Sequence, residues 1–448
     1  MKRIFIALTA LFSVGVSAQQ PFSGIRSSSY LGVQSTLSNP ANIVASSKKW
    51  DVNLLSFHVN SQNNAIDIKK MLSPQNDDFL KLDGSLSGVV NADVLGPSFM
   101  VGGSKFAFAL TSRARLFAHL NNLNFPLFQA LRENKLTESF LLGDPGTQGV
   151  TANGWSEIGG TFSMVLFQDL NHVIKAGVTA KLLQGFTSSY VQINGLKDAK
   201  IEIDGNEVYL SNANAGVVML NSGVDFTNLK NVSDITKSYG KGIGFDLGLV
   251  YERQLEGADD WCPNCGIGRG YRYKIGVSLL DIGGIKYSSN PQNSFQYLLN
   301  VPAGKRFRLD NLGDNLTQIQ ENLKKSEYVK TGGISDSYKA SLPTSLNLIF
   351  DYYAGSRFFV EFASQFNLVS KEDSAKNAYY ANSYSLTPRF EGKYFGFYLP
   401  LNYSDLSKFN AGVALRMGPL FVGSGSALSV LTNKSKQADV YFGLRFGL

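Results

Sequence analysis

The chain has 448 residues, 44% of them hydrophobic and only 17% charged, with a formal net charge of +7. The 31 Phe and 20 Tyr exclude a disordered chain, which is rich in charge and poor in aromatics. No apolar run of about 18 residues follows the extreme N-terminus, which excludes a helical membrane protein, and the basic residues are too scattered for a nucleic-acid footprint.

Residues 1–18 carry Lys2 and Arg3, an apolar stretch from Ile4 to Val16, and the small pair Ser17 and Ala18. This order predicts a secretory signal peptide cleaved after Ala18. No Cys follows the cleavage site, so no lipid anchor is expected. Residues 19–50 form an arm of small and polar residues containing Ser38-Asn39-Pro40-Ala41-Asn42. Pro40 fixes its own φ and biases Asn39 away from helix. Such a turn suits a plug packed among polar groups of a lumen; a mobile periplasmic tail is the other reading.

From residue 51 to 448 the chain alternates with period two, the signature of strands with one apolar face. Ile174, Ala176, Val178, Ala180 and Leu182 oppose Lys175 and Lys181. Ile243, Phe245, Leu247 and Leu249 oppose Asp246 and three glycines. Tyr273, Ile275 and Val277 oppose Arg272 and Lys274, and Leu348 and Phe350 oppose Asp351. Val413, Leu415 and Met417 oppose Arg416, and Val440 to Leu448 oppose Arg445. Strands of about ten residues match a tilted bilayer crossing, and tyrosines recur near their ends as an interfacial girdle would require. The pattern predicts an all-β fold: an antiparallel transmembrane β-barrel of 14 to 16 strands in the outer membrane, bathed in its lipid. Lys175, Lys181, Asp246, Arg272, Lys274, Asp351, Glu361, Arg416 and Arg445 are expected to face the lumen. There the carboxylates would pair with Arg272, Arg416 and Arg445 rather than act as an acid/base couple.

Short connections at 102–104, 168–171, 355–356, 391–393 and 418–419 predict periplasmic turns. Long connections at 64–90, 118–152, 254–270, 289–341 and 370–382 predict outside loops. Pairing is unclear from the sequence over 188–235 and 284–288. Phe125 to Leu142, Leu309 to Tyr328 and Asp67 to Leu82 carry helical periodicity within these loops. Cys262 and Cys265 fall in the loop 254–270, expected to point outward, and the exported context favours a disulfide over a redox or zinc role.

Several elements taken in order resemble a known group. They are Ser38-Asn39-Pro40-Ala41, Gly244 to Leu249, Leu279 to Tyr287, Leu342 to Leu346, Pro400 to Tyr403 and Gly412 to Gly423. An Asn-Pro-Ala element just before the first strand is similar to that of FadL-type fatty-acid channels and of the PorV-like barrels of type IX secretion. The whole set resembles an outer-membrane family of Bacteroidota without a settled activity. The resemblance implies a 14-stranded barrel with an N-terminal hatch, and assigns the hatch role to Asn39, Pro40 and Ala41. It further implies a channel for a small hydrophobic or amphipathic compound. The alternative is a non-transporting partner barrel of a secretion or assembly system, bound to a periplasmic or outer-membrane protein.

No catalytic constellation emerges. His58, His119 and His172 lack metal-ligand spacing, and there is no phosphate-binding loop or nucleophile elbow. The expectation is a protein that is not an enzyme and takes neither metal nor cofactor.

Overall fold

The computed structural model describes residues 22–26, 28–71, 84–124, 138–144, 146–223, 237–255, 270–313, 316–370, 376–432 and 435–447. The alternating segments form a closed antiparallel barrel of 14 strands. The first half comprises β1 (Trp50–Asn63), β2 (Ser85–Leu95, continued by Ser98–Gly102), β3 (Phe106–Asn124) and β4 (Gln148–Gln168). It continues with β5 (His172–Asn194), β6 (Gly240–Gln254) and β7 (Tyr271–Ser288). The second half comprises β8 (Ser345–Gly355, with Ser337–Ser341 above it), β9 (Phe358–Asn367) and β10 (Ser383–Glu391). Two broken strands follow, β11 (Phe395–Tyr398 and Leu401–Ser404) and β12 (Lys408–Ala411 and Val413–Met417). The last are β13 (Leu420–Ser424) and β14 (Gln437–Gly447). β14 pairs with β1 from Asp51 opposite Gly447 to Gln62 opposite Gln437, which closes the cylinder.

Each strand turns one parity inward and the other outward. Phe108, Ile158, Leu182, Ile243, Leu247 and Phe442 stand exposed on the outside. Inside, Lys175, Lys181, Asp246, Asp351, Glu361 and Arg445 are buried. The usual soluble arrangement is inverted, with the wet parity enclosed.

The ladder has one seam. β13 has five residues, so beyond it no strand separates Lys408–Ala411 from the start of β14. The short helix Ala427–Leu431 and its flanks fill this place. The Ala411 amide donates to Ser429 Oγ (2.9 Å), and the Gly425 amide and Ser426 Oγ donate to the Asp439 carboxylate (2.6 and 2.5 Å).

Long connections gather at the end opposite the hatch. Ala213–Gly223 and Phe295–Val301 extend the upper half of β5 there. A second sheet of Phe140–Leu141, Lys200–Asp204, Glu207–Ser211 and Phe307–Arg308 builds a cap with its own core, including Ile201, Val208, Leu210 and Phe307.

Three expectations are corrected or narrowed. The ends of the 254–270 connection lie at the short-turn end, where the Leu255 amide donates to Gly270 O (2.9 Å) and the Gln254 amide to Asn171 O (2.7 Å). Both ends of the connection therefore stand on the side of the short turns, and Cys262 and Cys265 themselves lie outside the described residues. Arg272 does not face the lumen. A register shift between Arg253 and Gln254 turns Tyr271 inward and leaves Arg272 exposed, its guanidinium 5.1 Å from the Tyr352 ring centroid. Of the three helical segments, Leu316–Lys325 is a helix, Ile68–Met71 is a single helical turn, and residues 125–137 lie outside the described residues. Residues 1–18, the expected signal peptide, also lie outside them.

Candidate functional site: a plugged lumen

Residues 22–26 and 28–45 lie inside the barrel toward the short-turn end, with two 3-10 helices, Gly32–Leu37 and Pro40–Ile43. Asn39 joins them in an extended conformation (φ −161°). Its Oδ1 accepts from the Ala41 amide at 2.9 Å, the side-chain turn that Asn favours before a Pro-initiated helix. Its Nδ2 reaches the wall and donates to the carbonyls of Leu249 on β6 and Val277 on β7, both at 3.1 Å.

The wall provides a matching seat. Ser163 (β4) pairs with Gly177 (β5), Gly177 with Gly248 (β6), and Gly248 with Ser278 (β7). These four small residues form one continuous row on the inner face. Ser163 Oγ donates to Pro40 O and Ser278 Oγ to Ser38 O, each at 2.6 Å. Between the serines the two glycines admit the hatch backbone. A Cβ at Gly177 would lie 2.5 Å from the Ala41 nitrogen, and one at Gly248 would overlap Asn39 Oδ1. The absence of side chains at these two positions creates the notch.

Further tethers ring the hatch. The Val33 amide donates to Asp51 Oδ1 (3.0 Å), whose other oxygen accepts from Arg445 Nη1 (2.7 Å). Arg416 stacks 4.2 Å over the Tyr30 ring. Phe22 packs edge-on against Phe421 and Tyr441. Arg26 pairs with Glu361 at 3.7 Å. Burial pulls the Arg26 guanidinium below its ordinary value, with Glu361 acting in the opposite direction.

On the far side of the hatch lies a charged girdle. Arg113 is hydrogen-bonded to Asp93 (Nε to Oδ1 2.7 Å) and lies 3.4 Å from Glu157. Arg115 reaches Asp281 at 2.9 Å, and Lys181 bridges Asp246 (2.7 Å) and Asp281 (2.6 Å). Asp281 enters the lumen because a bulge opposite Asp246 gives it a positive φ of 59°. Between girdle and hatch lies a cavity of about 40 Å³, room for a few waters. Its lining mixes Leu31, Leu37 and Leu280 with Arg113, Lys181 and Asp246. Beyond the girdle an aromatic cluster holds Phe117, Trp155, Tyr287 and Tyr380.

Lys175, Lys181, Asp246, Lys274, Asp351, Glu361, Arg416 and Arg445 are buried on the inner face. Their partners differ from the expected arginines. Asp246 takes Lys181, Asp351 takes Arg389 and Lys274, and Glu361 takes Arg26. Lys175 pairs with Glu252, and Arg416 donates to the carbonyls of Gly392 and Lys393. Asp51, Asp93, Arg113, Arg115, Glu157, Asp281 and Arg389 were not singled out from the sequence. For Arg113 and Arg115 the signal is present, since they continue the inward parity of β3 opposite Phe108 and Leu110. The histidines lie apart: His58 against Phe22, His119 stacked on Tyr379, and His172 hydrogen-bonded to Tyr251.

The fold and site together define a closed β-barrel plugged by its own N-terminal segment. The chain belongs to DUF5723, a family of unknown function, whose model matches residues 40–425. No curated protein matches it by sequence. Solved structures similar to it include a TodX deltaS2S3 mutant, a monoaromatic hydrocarbon channel, at 10% identity and TM-score 0.48, covering 94% of this chain and 95% of that one. A Pseudomonas aeruginosa FadL homologue is similar at 11% identity and TM-score 0.46, covering 96% and 98%. The P. putida toluene transporter TodX is similar at 9% identity and TM-score 0.41, covering 96% and 99%.

Proposed function

We propose that the protein spans the outer membrane and passes a small hydrophobic or amphipathic compound, with residues 22–45 as the gate. The exposed apolar face supports the membrane placement, because so large an apolar surface is a liability in water. A closed ladder also satisfies backbone groups without solvent, as lipid demands. Long loops face outside in such barrels, which directs the hatch and both ends of the barrel chain to the periplasm.

The observation that carries the gate reading is the fit of Ser38 to Ala41 into the row Ser163, Gly177, Gly248 and Ser278. The plug is held by packing, by hydrogen bonds worth about 1 kcal/mol each and by the Arg26–Glu361 pair, whereas the wall is a continuous ladder, so the plug is the part that moves. The adjoining cavity has room for only a few waters while the plug is seated, and its lining, part leucine and part charge, would suit a compound with an apolar body and a polar end once the plug moves and the space widens.

The test uses the full chain in liposomes, with a fluorescent alkanoate as probe and a neutral sugar as control. Wild type is expected to admit the alkanoate and exclude the sugar, and a variant lacking residues 22–45 to admit both. Alkanoate entry no faster than through empty liposomes would remove the channel reading. A stoichiometric co-purified protein together with that result would favour a partner barrel instead.

A further inference from the structure

Three lysines stand side by side on the outer face. Lys241 of β6 pairs with Lys286 of β7, and Lys286 pairs with Lys339 of the segment above β8. Residues directly opposed across antiparallel strands have Cβ atoms about 5 Å apart, so three ammonium-bearing chains share a row roughly 10 Å wide. All three are exposed. Among the described residues none of them forms an ion pair, and the row continues through the neutral Gln184 and Ser156. Like charges set directly opposite one another are destabilising, and among the described residues the row has no counter-charge within ion-pair distance.

Its height on the barrel is informative. The next outward row toward the hatch end is Ile158, Leu182 and Ile243, exposed by 56%, 69% and 57%. That row continues into Gly284 and Ser341, where the aliphatic stem of Lys339 lies over Gly284. Tyr251 marks the opposite margin of the belt on β6. Ten residues separate it from Lys241, about 33 Å along the strand and about 25 Å along the axis at the usual tilt, the height of the apolar band of a membrane barrel. The lysines therefore stand where acyl chains give way to headgroups.

We propose that Lys241, Lys286 and Lys339 bind the phosphate-bearing headgroup of an outer-leaflet lipid, whose acyl chains lie over Ile158, Leu182 and Ile243. The ligand class follows from the juxtaposition: anionic at the lysine row, aliphatic immediately below it. The proposal rests on the membrane placement given above, but not on the channel reading.

The full chain is placed in phosphatidylcholine nanodiscs containing either a phosphorylated glycolipid or the same glycolipid stripped of phosphate. Lipids retained after gentle detergent release are read by native mass spectrometry. Wild type is expected to retain the phosphorylated form selectively. The triple variant K241Q/K286Q/K339Q should lose roughly fivefold in retention for each lysine removed, and K241R/K286R/K339R should keep it. A heat-shift gel reports folding of each variant, and the wild-type comparison of the two lipids decides the matter even if the Gln variant does not fold. Equal retention of the two glycolipids, or full displacement by millimolar inorganic phosphate, would overturn the proposal. Failure of the wild type to enter nanodiscs would sink the membrane placement, whereas entry without selectivity sinks only this site.

Discussion

Oδ1 of Asn39 occupies the space in which a residue other than glycine at position 248 would carry its Cβ. The two atoms cannot coexist, so Gly248→Ala must displace either the wall or the hatch. The wall is a continuous ladder there, since Gly248 pairs with both Gly177 and Ser278. The hatch is held by far fewer bonds and should be the part that moves. Overpacking of this kind costs about 1–3 kcal/mol. Hydrogen exchange in peptides covering 22–45 should accelerate in Gly248→Ala, and liposome leak to small solutes should rise. Gly160→Ala is the control, because a Cβ there meets nothing within 4 Å. Equal exchange in both variants would show that the notch does not hold the hatch.

The two serines flanking the notch should act in the same direction by a different route. Ser163→Ala and Ser278→Ala each remove one donor to a hatch carbonyl without adding bulk. At about 1 kcal/mol per bond, each should raise the open population of the hatch roughly fivefold. Exchange rates of residues 38–41 measure it. The thermal transition of the barrel should scarcely change, because neither serine bonds a strand other than its own through its side chain.

Asp351 is the fixed point of the opposite wall. Arg389 donates to both its oxygens at 2.7 Å, and Tyr271 adds a third bond at 2.5 Å. Asp351→Ala leaves the Arg389 guanidinium buried without its closest partner, with Glu391 3.6 Å away. Breaking one side of a buried pair costs about 3–5 kcal/mol, so urea unfolding in detergent should shift strongly to lower concentration. The double variant D351L/R389M should lose less than D351A alone, because it removes the buried guanidinium together with its closest partner and leaves only the longer contacts of Lys274 (3.8 Å) and Glu391 (3.6 Å) unmet. A double variant weaker than the single would contradict a structural role for the pair.

Much of the barrel is legible in the sequence because period-two alternation is a local property. Ile243 to Leu249 announces its two faces within seven residues. The strand number is harder to read. β11 and β12 are interrupted at Pro400 and Gly412, while Ala213–Gly223 is a strand as long as many in the wall yet extends β5 beyond the barrel. The face of Arg272 and the entry of Asp281 into the lumen depend on bulges, which reverse parity without a compositional mark. The hatch seat is legible only in hindsight. Gly177 and Gly248 are ordinary strand glycines until the register aligns them under Asn39. Ion-pair partners are set by strands far apart in sequence, as with Arg26 and Glu361. Length misplaced the 254–270 connection, because a long connection can also start and finish at the short-turn end.

The membrane placement predicts a contrast that a water-soluble barrel would not show. Leu247 is 48% exposed on the outer face of β6, four residues from Tyr251 and six from Lys241, and so lies near mid-height of the belt. In water, Leu→Arg at such a position would change stability by no more than about 0.5 kcal/mol. In a bilayer the guanidinium would face hydrocarbon, at a cost of about 2–4 kcal/mol near the midplane. Leu247→Arg should therefore lower the urea midpoint of the protein folded into phosphatidylcholine vesicles. Lys241→Arg at the rim should leave that midpoint unchanged, since the charge already stands at headgroup depth. Indistinguishable midpoints for wild type and Leu247→Arg would mean that water, rather than lipid, covers this face.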